Sequence, residues 1–190
     1  MSMPGLPPTA FALLGLLVFD ADSDADSGAD SAGGMTGYEL KQRADFTLRY
    51  YWVSPAMSQI YTELRRLSAE GYISELPGEG PTRYRVTAEG RDAVERWLFE
   101  GEVGFPILKH PVALRLLMGR LSTPERLQEM LEQHLRDLDA RRADLQGVRD
   151  MLGDDHQRRY AALVAEWGLA YYASESRIVA DLRDRLESMD

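Results

Sequence analysis

Cysteine is absent from the 190 residues, so no disulfide framework, thiolate nucleophile or zinc ribbon can form. That absence agrees with a reducing compartment. The amino-terminal residues carry none of the positive charge that opens a signal peptide. The apolar run over residues 11–19 is too short to span a bilayer and runs into aspartates. A soluble cytoplasmic protein with no membrane partner is expected. Positive charge is scarce: 22 Lys and Arg stand against 31 Asp and Glu, a net charge of −9. Such a chain is not suited to coating nucleic acid without regard to sequence. Signatures of catalysis are missing as well. His110, His134 and His156 are far apart in the chain and lack a metal-ligand spacing. No glycine-rich phosphate loop opens a helix after a strand, and no Ser, His and Asp set has a recognisable context. No enzymatic activity, cofactor or metal site is expected.

What is present is a core and an uneven charge. Hydrophobic residues make up 44% of the chain, enough for one medium domain or two small ones. Residues 20–30 hold five Asp and no base, residues 36–86 hold seven bases against six acids, and residues 101–190 hold 13 against 16. A neutral segment with a few placed arginines can still bind DNA. It then needs base-edge contacts, and dimerisation to double its phosphate contacts.

The pattern predicts mostly helix. Residues 1–8 hold three prolines and read as a loose arm. Residues 9–19 are apolar nearly all round, as in a buried helix. Residues 20–34, rich in Asp, Ala, Ser and Gly, read as a solvated acidic loop. Its Asp22-x-Asp24-x-Asp26 lacks the glycine and closing glutamate of a calcium loop. Thr36 and Glu39 form a capping box for a helix through Asp45. Ser54 and Pro55 have the character of an N-cap and first residue of the next helix. That helix is expected to bury Met57, Ile60, Tyr61, Leu64 and Leu67 and to end at Gly71. Strands over 72–76 and 82–86 flank the turn Pro77-Gly-Glu-Gly-Pro81. Thr87 caps a helix to about Phe99, with Val94, Trp97 and Leu98 on its apolar side. Residues 101–111 are a hinge. A helix follows to Leu121, and another from Thr123 to Leu152 carries Leu131, Leu138, Leu145 and Leu152 every seventh residue. Leu127, His134, Arg141 and Val148 form the companion register, so the helix asks for a helical partner. A last helix over 156–187 carries Tyr160, Leu163, Val164, Trp167, Tyr171, Ile178, Leu182 and Leu186.

An amphipathic helix followed by an arginine-bearing hairpin is the arrangement of a winged helix-turn-helix. The helix from Ser54 would enter the major groove, with Ser54, Ser58, Gln59 and Thr62 able to contact phosphate or bases. Gln59 suits adenine, and Arg65 suits guanine or phosphate. Arg83 and Arg85 on the hairpin would follow the backbone or the minor groove. The fold class expected is mainly α with a small β-hairpin wing. Residues 1–100 would form a winged helix-turn-helix domain, and residues 101–190 a helical dimerisation domain.

The same residues carry a family resemblance. Gly37-Tyr38-Glu39-Leu40, preceded by Gly34-Met35-Thr36, resembles a signature of PadR-type transcriptional regulators. Trp52-Val-Ser54, Ile60-Tyr61-Thr-Glu63-Leu64, Arg66-Leu67 and Glu70-Gly71-Tyr72-Ile73 resemble their recognition helix. Arg83-Tyr84-Arg85-Val86-Thr87 with Gly90-Arg91 resembles their wing and next helix. The second half resembles the subfamily with a virulence-activator-type helical carboxy-terminal domain. The inserted acidic segment departs from the pattern. The resemblance implies a homodimer on a pseudo-palindromic operator in double-stranded DNA, usually as a repressor. It implies DNA contacts by Tyr38, Lys41, Ser54, Ser58, Gln59, Tyr61, Arg65, Arg83 and Tyr84, although Tyr38 and Tyr61 also suit partial burial in the core. It further implies response to a small aromatic effector. Trp97, Phe105, Trp167 and Tyr171, with Phe99 and Tyr172, could line a pocket for it, or could instead fill the dimer core. The rival class is a winged-helix protein-interaction module without DNA binding, for which the acidic balance speaks. A ligand-binding helical protein is a third reading.

Overall fold

The computed structural model describes residues 5–27, 33–50, 52, 54–76, 78, 80–104 and 109–188. The chain divides into two compact units, residues 1–104 and 105–190. No described helix is long and apolar enough to cross a membrane.

The first unit is built around helix α1 (Pro8–Ser27). Ala10, Phe11, Leu13, Leu14, Leu16, Leu17 and Val18 are all buried, as a helix apolar on every side requires. Around it lie α2 (Gly37–Thr47), α3 (Met57–Ala69) and α4 (Ala88–Glu100). Leu40, Ala44, Ile60, Leu64, Leu67 and Val94 complete the core. Trp97 stacks on Phe11 with ring centroids 5.0 Å apart, while Leu98 points to solvent.

Helix α1 runs well into the segment read as an acidic loop. Asp22, Asp24 and Asp26 therefore stand on helical backbone, which is not a calcium loop. Aspartates near a helix carboxy terminus oppose the helix dipole. Tertiary partners offset this: Arg91 holds Asp22 at 2.6 Å and Arg43 lies 3.8 Å from Asp20.

Three strands form one sheet in the order β1-β3-β2, where β1 is Met35–Thr36, β2 is Ile73–Leu76 and β3 is Arg83–Val86. The expected hairpin thus gains a third, two-residue strand, pairing Met35 with Tyr84 and Thr36 with Arg83. Two residues are too few to show an alternating pattern. Gly34 enters this strand at φ +79, and a Cβ there would lie 2.5 Å from the Tyr84 carbonyl oxygen. Only glycine fits both demands.

The caps of α2 and α4 are as expected. Glu39 N–H donates to Thr36 Oγ1 at 3.2 Å, and Thr36 N–H donates to the Glu39 carboxylate at 2.7 Å. Gly90 N–H donates to Thr87 Oγ1 at 3.1 Å. Helix α3 differs. It begins two residues later, with Ala56 as N-cap. Ser54 Oγ donates instead to the Asp45 carboxylate and accepts from Lys41 Nζ at 3.2 Å. The Asp45 carboxylate fixes where the hydroxyl proton points, and the Lys41 ammonium, a charged donor, takes the oxygen that would otherwise accept a backbone N–H. Gln59 takes over part of the cap by accepting the Ala56 N–H at 3.0 Å. Ile60, Leu64 and Leu67 are buried as read, but Met57 is half-buried and Tyr61 is 43% exposed. The helix ends in a Schellman motif: Tyr72 N–H donates to the Leu67 carbonyl at 2.9 Å, and Gly71 has φ +76.

The second unit contains α5 (Pro111–Leu117), a 3-10 turn over Gly119–Leu121, α6 (Pro124–Leu152), a 3-10 turn over His156–Arg158 and α7 (Arg159–Glu187). Thr123 caps α6 and Pro124 is its first residue. Leu131, Leu138 and Leu145 are buried. The helical partner their repeat calls for is α7 of the same chain. Helix α7 meets it with Ala162, Ala165, Gly168, Tyr172 and Val179. A Cβ on Gly168 would lie 2.8 Å from a Leu145 methyl, so the helices are in close contact there. Of the companion register, His134 is half-buried, whereas Arg141 is exposed and lies outside the seam. The bulky residues of α7, namely Tyr160, Leu163, Trp167, Tyr171 and Ile178, form a second stripe that faces solvent. Leu114, Leu117, Met118 and Leu121 are exposed as well.

Candidate nucleic-acid interface

Helix α3 turns Ser58, Gln59, Thr62 and Arg65 to solvent, because the three- and four-residue spacing of its apolar side chains pulls the opposite face into the core. Arg66 is held by Glu63 at 3.2 Å. Among the described residues Arg65 has no carboxylate partner, so its charge is available to an anion.

Beside this face lies a cleft of about 650 Å³ that brings together the amino-terminal turn of α2, one residue of α3 and the wing. Tyr38 and Glu39 come from α2, Tyr61 from α3, and Arg83 and Tyr84 from β3. Four residues expected at a DNA surface thus converge, though they are spread over the sequence from 38 to 84. Their approach depends on Gly37: a Cβ there would sit 2.8 Å from the Tyr61 ring.

The charges in this cleft are largely matched. The Arg83 guanidinium donates to the Gly34 carbonyl at 2.7 Å and lies 3.3 Å from the Glu39 carboxylate. It ties the wing to the start of α2, and its buried Nε has no hydrogen-bond partner. The backbone N–H of Thr36 holds the Glu39 carboxyl below its ordinary range, with the Thr36 hydroxyl and Arg83 adding to the effect against burial. Burial raises the Tyr84 hydroxyl, as do Glu75 and Tyr61, while Arg65 acts to lower it. Tyr84 therefore stays protonated and can donate to a phosphate.

Lys41 and Ser54 form a different group. Both are engaged with Asp45, whose carboxyl is lowered chiefly by the Lys41 hydrogen bond and then by that of Ser54. This trio fastens the end of α2 to the segment that leads into α3. Gln42, which the motifs did not single out, donates to the Tyr38 hydroxyl at 3.3 Å and sets that ring's position. Its signal was the four-residue spacing from Tyr38 on one helix face.

The residues suggested for an effector are distributed. Trp97 belongs to the core of the first unit through Phe11. Phe105 lies outside the described residues. Trp167 and Tyr171 stand on the outward stripe of α7, Trp167 at 69% exposure.

The histidine reading needs correction. His110 and His134, far apart in sequence, meet in the second unit. His110 Nε2 lies 2.8 Å from Glu175 Oε1, and His134 Nε2 lies 3.6 Å from the same atom. They come from the cap of α5, from α6 and from α7, so no spacing within one segment could show the cluster.

Comparison with known proteins follows this division. Residues 108–187 match the family model for the virulence activator alpha C-terminal domain. Over its length the chain is similar to solved structures. Bacillus subtilis PadR in complex with operator DNA superposes with a TM-score of 0.75 at 21% identity, covering 95% of this chain and 99% of that one. The Vibrio cholerae virulence activator AphA gives 0.72 at 17% identity, with the same coverages of 95% and 99%. Bacillus subtilis PadR in complex with p-coumaric acid gives 0.73 at 21% identity, covering 94% and 98%. No curated protein matches the chain. The chain has the PadR-type winged-helix fold with a virulence-activator-like carboxy-terminal domain, as its motifs led one to expect.

Proposed function

We propose that this protein is a DNA-binding transcriptional regulator, acting in the cytoplasm as a homodimer on a pseudo-palindromic operator. The observation that carries the reading is the solvent face of α3, with Arg65 lacking a carboxylate partner among the described residues, set beside the cleft where Tyr38, Tyr61, Arg83 and Tyr84 converge. In a winged helix this face enters the major groove while the wing follows the backbone. Gln59 has its carboxamide oxygen on the Ala56 N–H, which leaves its nitrogen to donate to a base or phosphate. Glu39 and Asp45 largely offset the charges of Arg83 and Lys41. A single reading head therefore neutralises few phosphates, and two heads on a matched site are needed for tight binding.

Dimerisation is supported by the outward stripe of α7. Tyr160, Leu163, Trp167, Tyr171 and Ile178 are all about half exposed or more. An apolar surface of this kind marks an interaction face. A second copy would bring an identical stripe, as two-fold dimers do. Repression, with release by a small aromatic effector, completes the proposal. Its support is the likeness in fold to Bacillus subtilis PadR, solved with operator DNA and with p-coumaric acid. An effector that binds more tightly to a protomer spacing that does not fit the operator would release the DNA.

The test is a mobility-shift titration on the DNA upstream of the protein's own coding sequence, repeated over a salt series. Saturable binding that falls steeply with salt is expected. Absence of a shift at low salt, or a partner interaction indifferent to salt, would favour the protein-interaction reading instead.

A further inference from the structure

His110, His134 and Glu175 lie outside the proposed DNA surface, and no role in DNA binding accounts for them. Their donor atoms all lie within 4.8 Å of one another. The side chains are only 16%, 24% and 13% exposed, so the group is set into the unit rather than spread over its surface. We propose that these three residues form a binding site for a divalent transition-metal ion of the zinc type.

The geometry carries this. In a tetrahedral zinc site with bonds of about 2.0–2.1 Å, neighbouring ligand atoms stand roughly 3.3 Å apart. The separations of 2.8 and 3.6 Å from Glu175 Oε1 to the two Nε2 atoms bracket that edge. The two imidazole rings meet edge to face with centroids 5.5 Å apart. Two imidazoles and one carboxylate suit zinc and its neighbours better than soft monovalent copper or hard calcium. Three protein ligands leave a fourth position for water.

A purely hydrogen-bonded cluster satisfies the group less well. The Nδ1 of His110 accepts the Ala113 N–H at 3.3 Å, so its neutral ring carries the proton on Nε2 and donates it to Glu175. His134 Nε2 is then left buried with no hydrogen-bond partner. A buried polar nitrogen without a partner is unfavourable, and a metal ion removes the deficit. On binding, His110 moves its proton to Nδ1 and gives up the long bond from Ala113. In return, the ion joins the start of α5 to α6 and α7. The site also stands four residues from Tyr171 on α7, which belongs to the outward stripe.

The experiment uses the full chain without a histidine tag, titrated with zinc chloride by calorimetry and with cobalt(II) by visible absorption. One ion per chain is expected, with the intense cobalt absorption of a four-coordinate site and a zinc-dependent rise in Tm. Glu175→Gln and His134→Asn should each weaken zinc binding by at least about 10-fold, the lower bound even for outer-shell changes. His156→Asn should leave it unchanged. The proposal is overturned if the unaltered chain binds no zinc, if both cluster variants bind as it does, if His156→Asn abolishes binding, or if cobalt shows only weak octahedral absorption. Should a variant fail to fold, imidazole proton resonances of the unaltered chain decide the matter. His110 and His134 signals that ignore zinc would equally overturn it.

Discussion

Replacing Arg65 by alanine separates a reading head from an ordinary amphipathic helix, and its neighbour supplies the control. Arg65 and Arg66 are adjacent on α3 and both exposed, but Arg66 is paired with Glu63 at 3.2 Å while Arg65 has no carboxylate partner among the described residues. Removing either changes folding stability little, within about 0.5 kcal/mol for exposed positions. Their effects on DNA should differ. A bidentate arginine–guanine contact is worth about 1–3 kcal/mol of discrimination. With both copies in a dimer altered, the loss is roughly 2–6 kcal/mol, at least about 30-fold in Kd. Arg66→Ala should remain within a few-fold. The salt series then identifies what Arg65 touches. If it neutralises a phosphate in each half-site, the slope of log K against log salt becomes shallower by about 1.8, from about 0.9 per contact. If it reads a base, the slope is unchanged and discrimination against mutated operators falls. Fluorescence anisotropy on operator and scrambled duplexes measures both. Unchanged operator affinity in Arg65→Ala, or an equal loss in Arg66→Ala, would refute the assignment of this face.

Three further outcomes are expected. Glu39→Gln should lower Tm near neutral pH and matter less in acid. The folded pKa of Glu39 is depressed, so its contribution is present above the ordinary carboxyl range and fades as pH falls through the folded value; a Tm difference independent of pH would count against this. Leu131→Ala should destabilise the helical unit by about 2–5 kcal/mol in denaturant melts, because Leu131 is fully buried in the α6–α7 seam; a change below about 1 kcal/mol would mean the seam is not tightly packed. Trp167→Glu should yield monomers in sedimentation equilibrium and weaken operator binding, since the indole lies on the outward stripe; a dimer of unchanged stability would place the interface elsewhere.

Much of the fold could be read along the chain, and the particular residues show why. Thr36 with Glu39, Thr87 and Thr123 cap their helices as expected, because a cap joins groups three residues apart and depends on little else. Gly71 ends α3 for the same reason. Leu131, Leu138 and Leu145 are buried because a seven-residue repeat keeps one face of a helix together. Ser54 shows the opposite case. By local rules it is a good cap, yet the Asp45 carboxylate, nine residues away in the chain, takes its hydroxyl. The acidic segment is similar: composition suggested a loop, and Arg43 and Arg91 accompany it as helix.

Most helices, the two wing strands and the buried stripes were legible along the chain, since these follow from hydrogen bonds and periodicities over short stretches. The sequence also named Tyr38, Tyr61, Arg65, Arg83 and Tyr84 through their motifs. What those residues share was set by packing between elements. It paired the two residues of β1 with β3 and let Gly37 admit the Tyr61 ring beside Arg83 and Tyr84. It seated α7 on α6 through Ala162, Ala165 and Gly168, leaving the larger apolar residues outward. It also brought His110, His134 and Glu175 from three elements to one point. The reason is physical: side chains on separate elements meet where packing places them, and no spacing along a single chain records that distance.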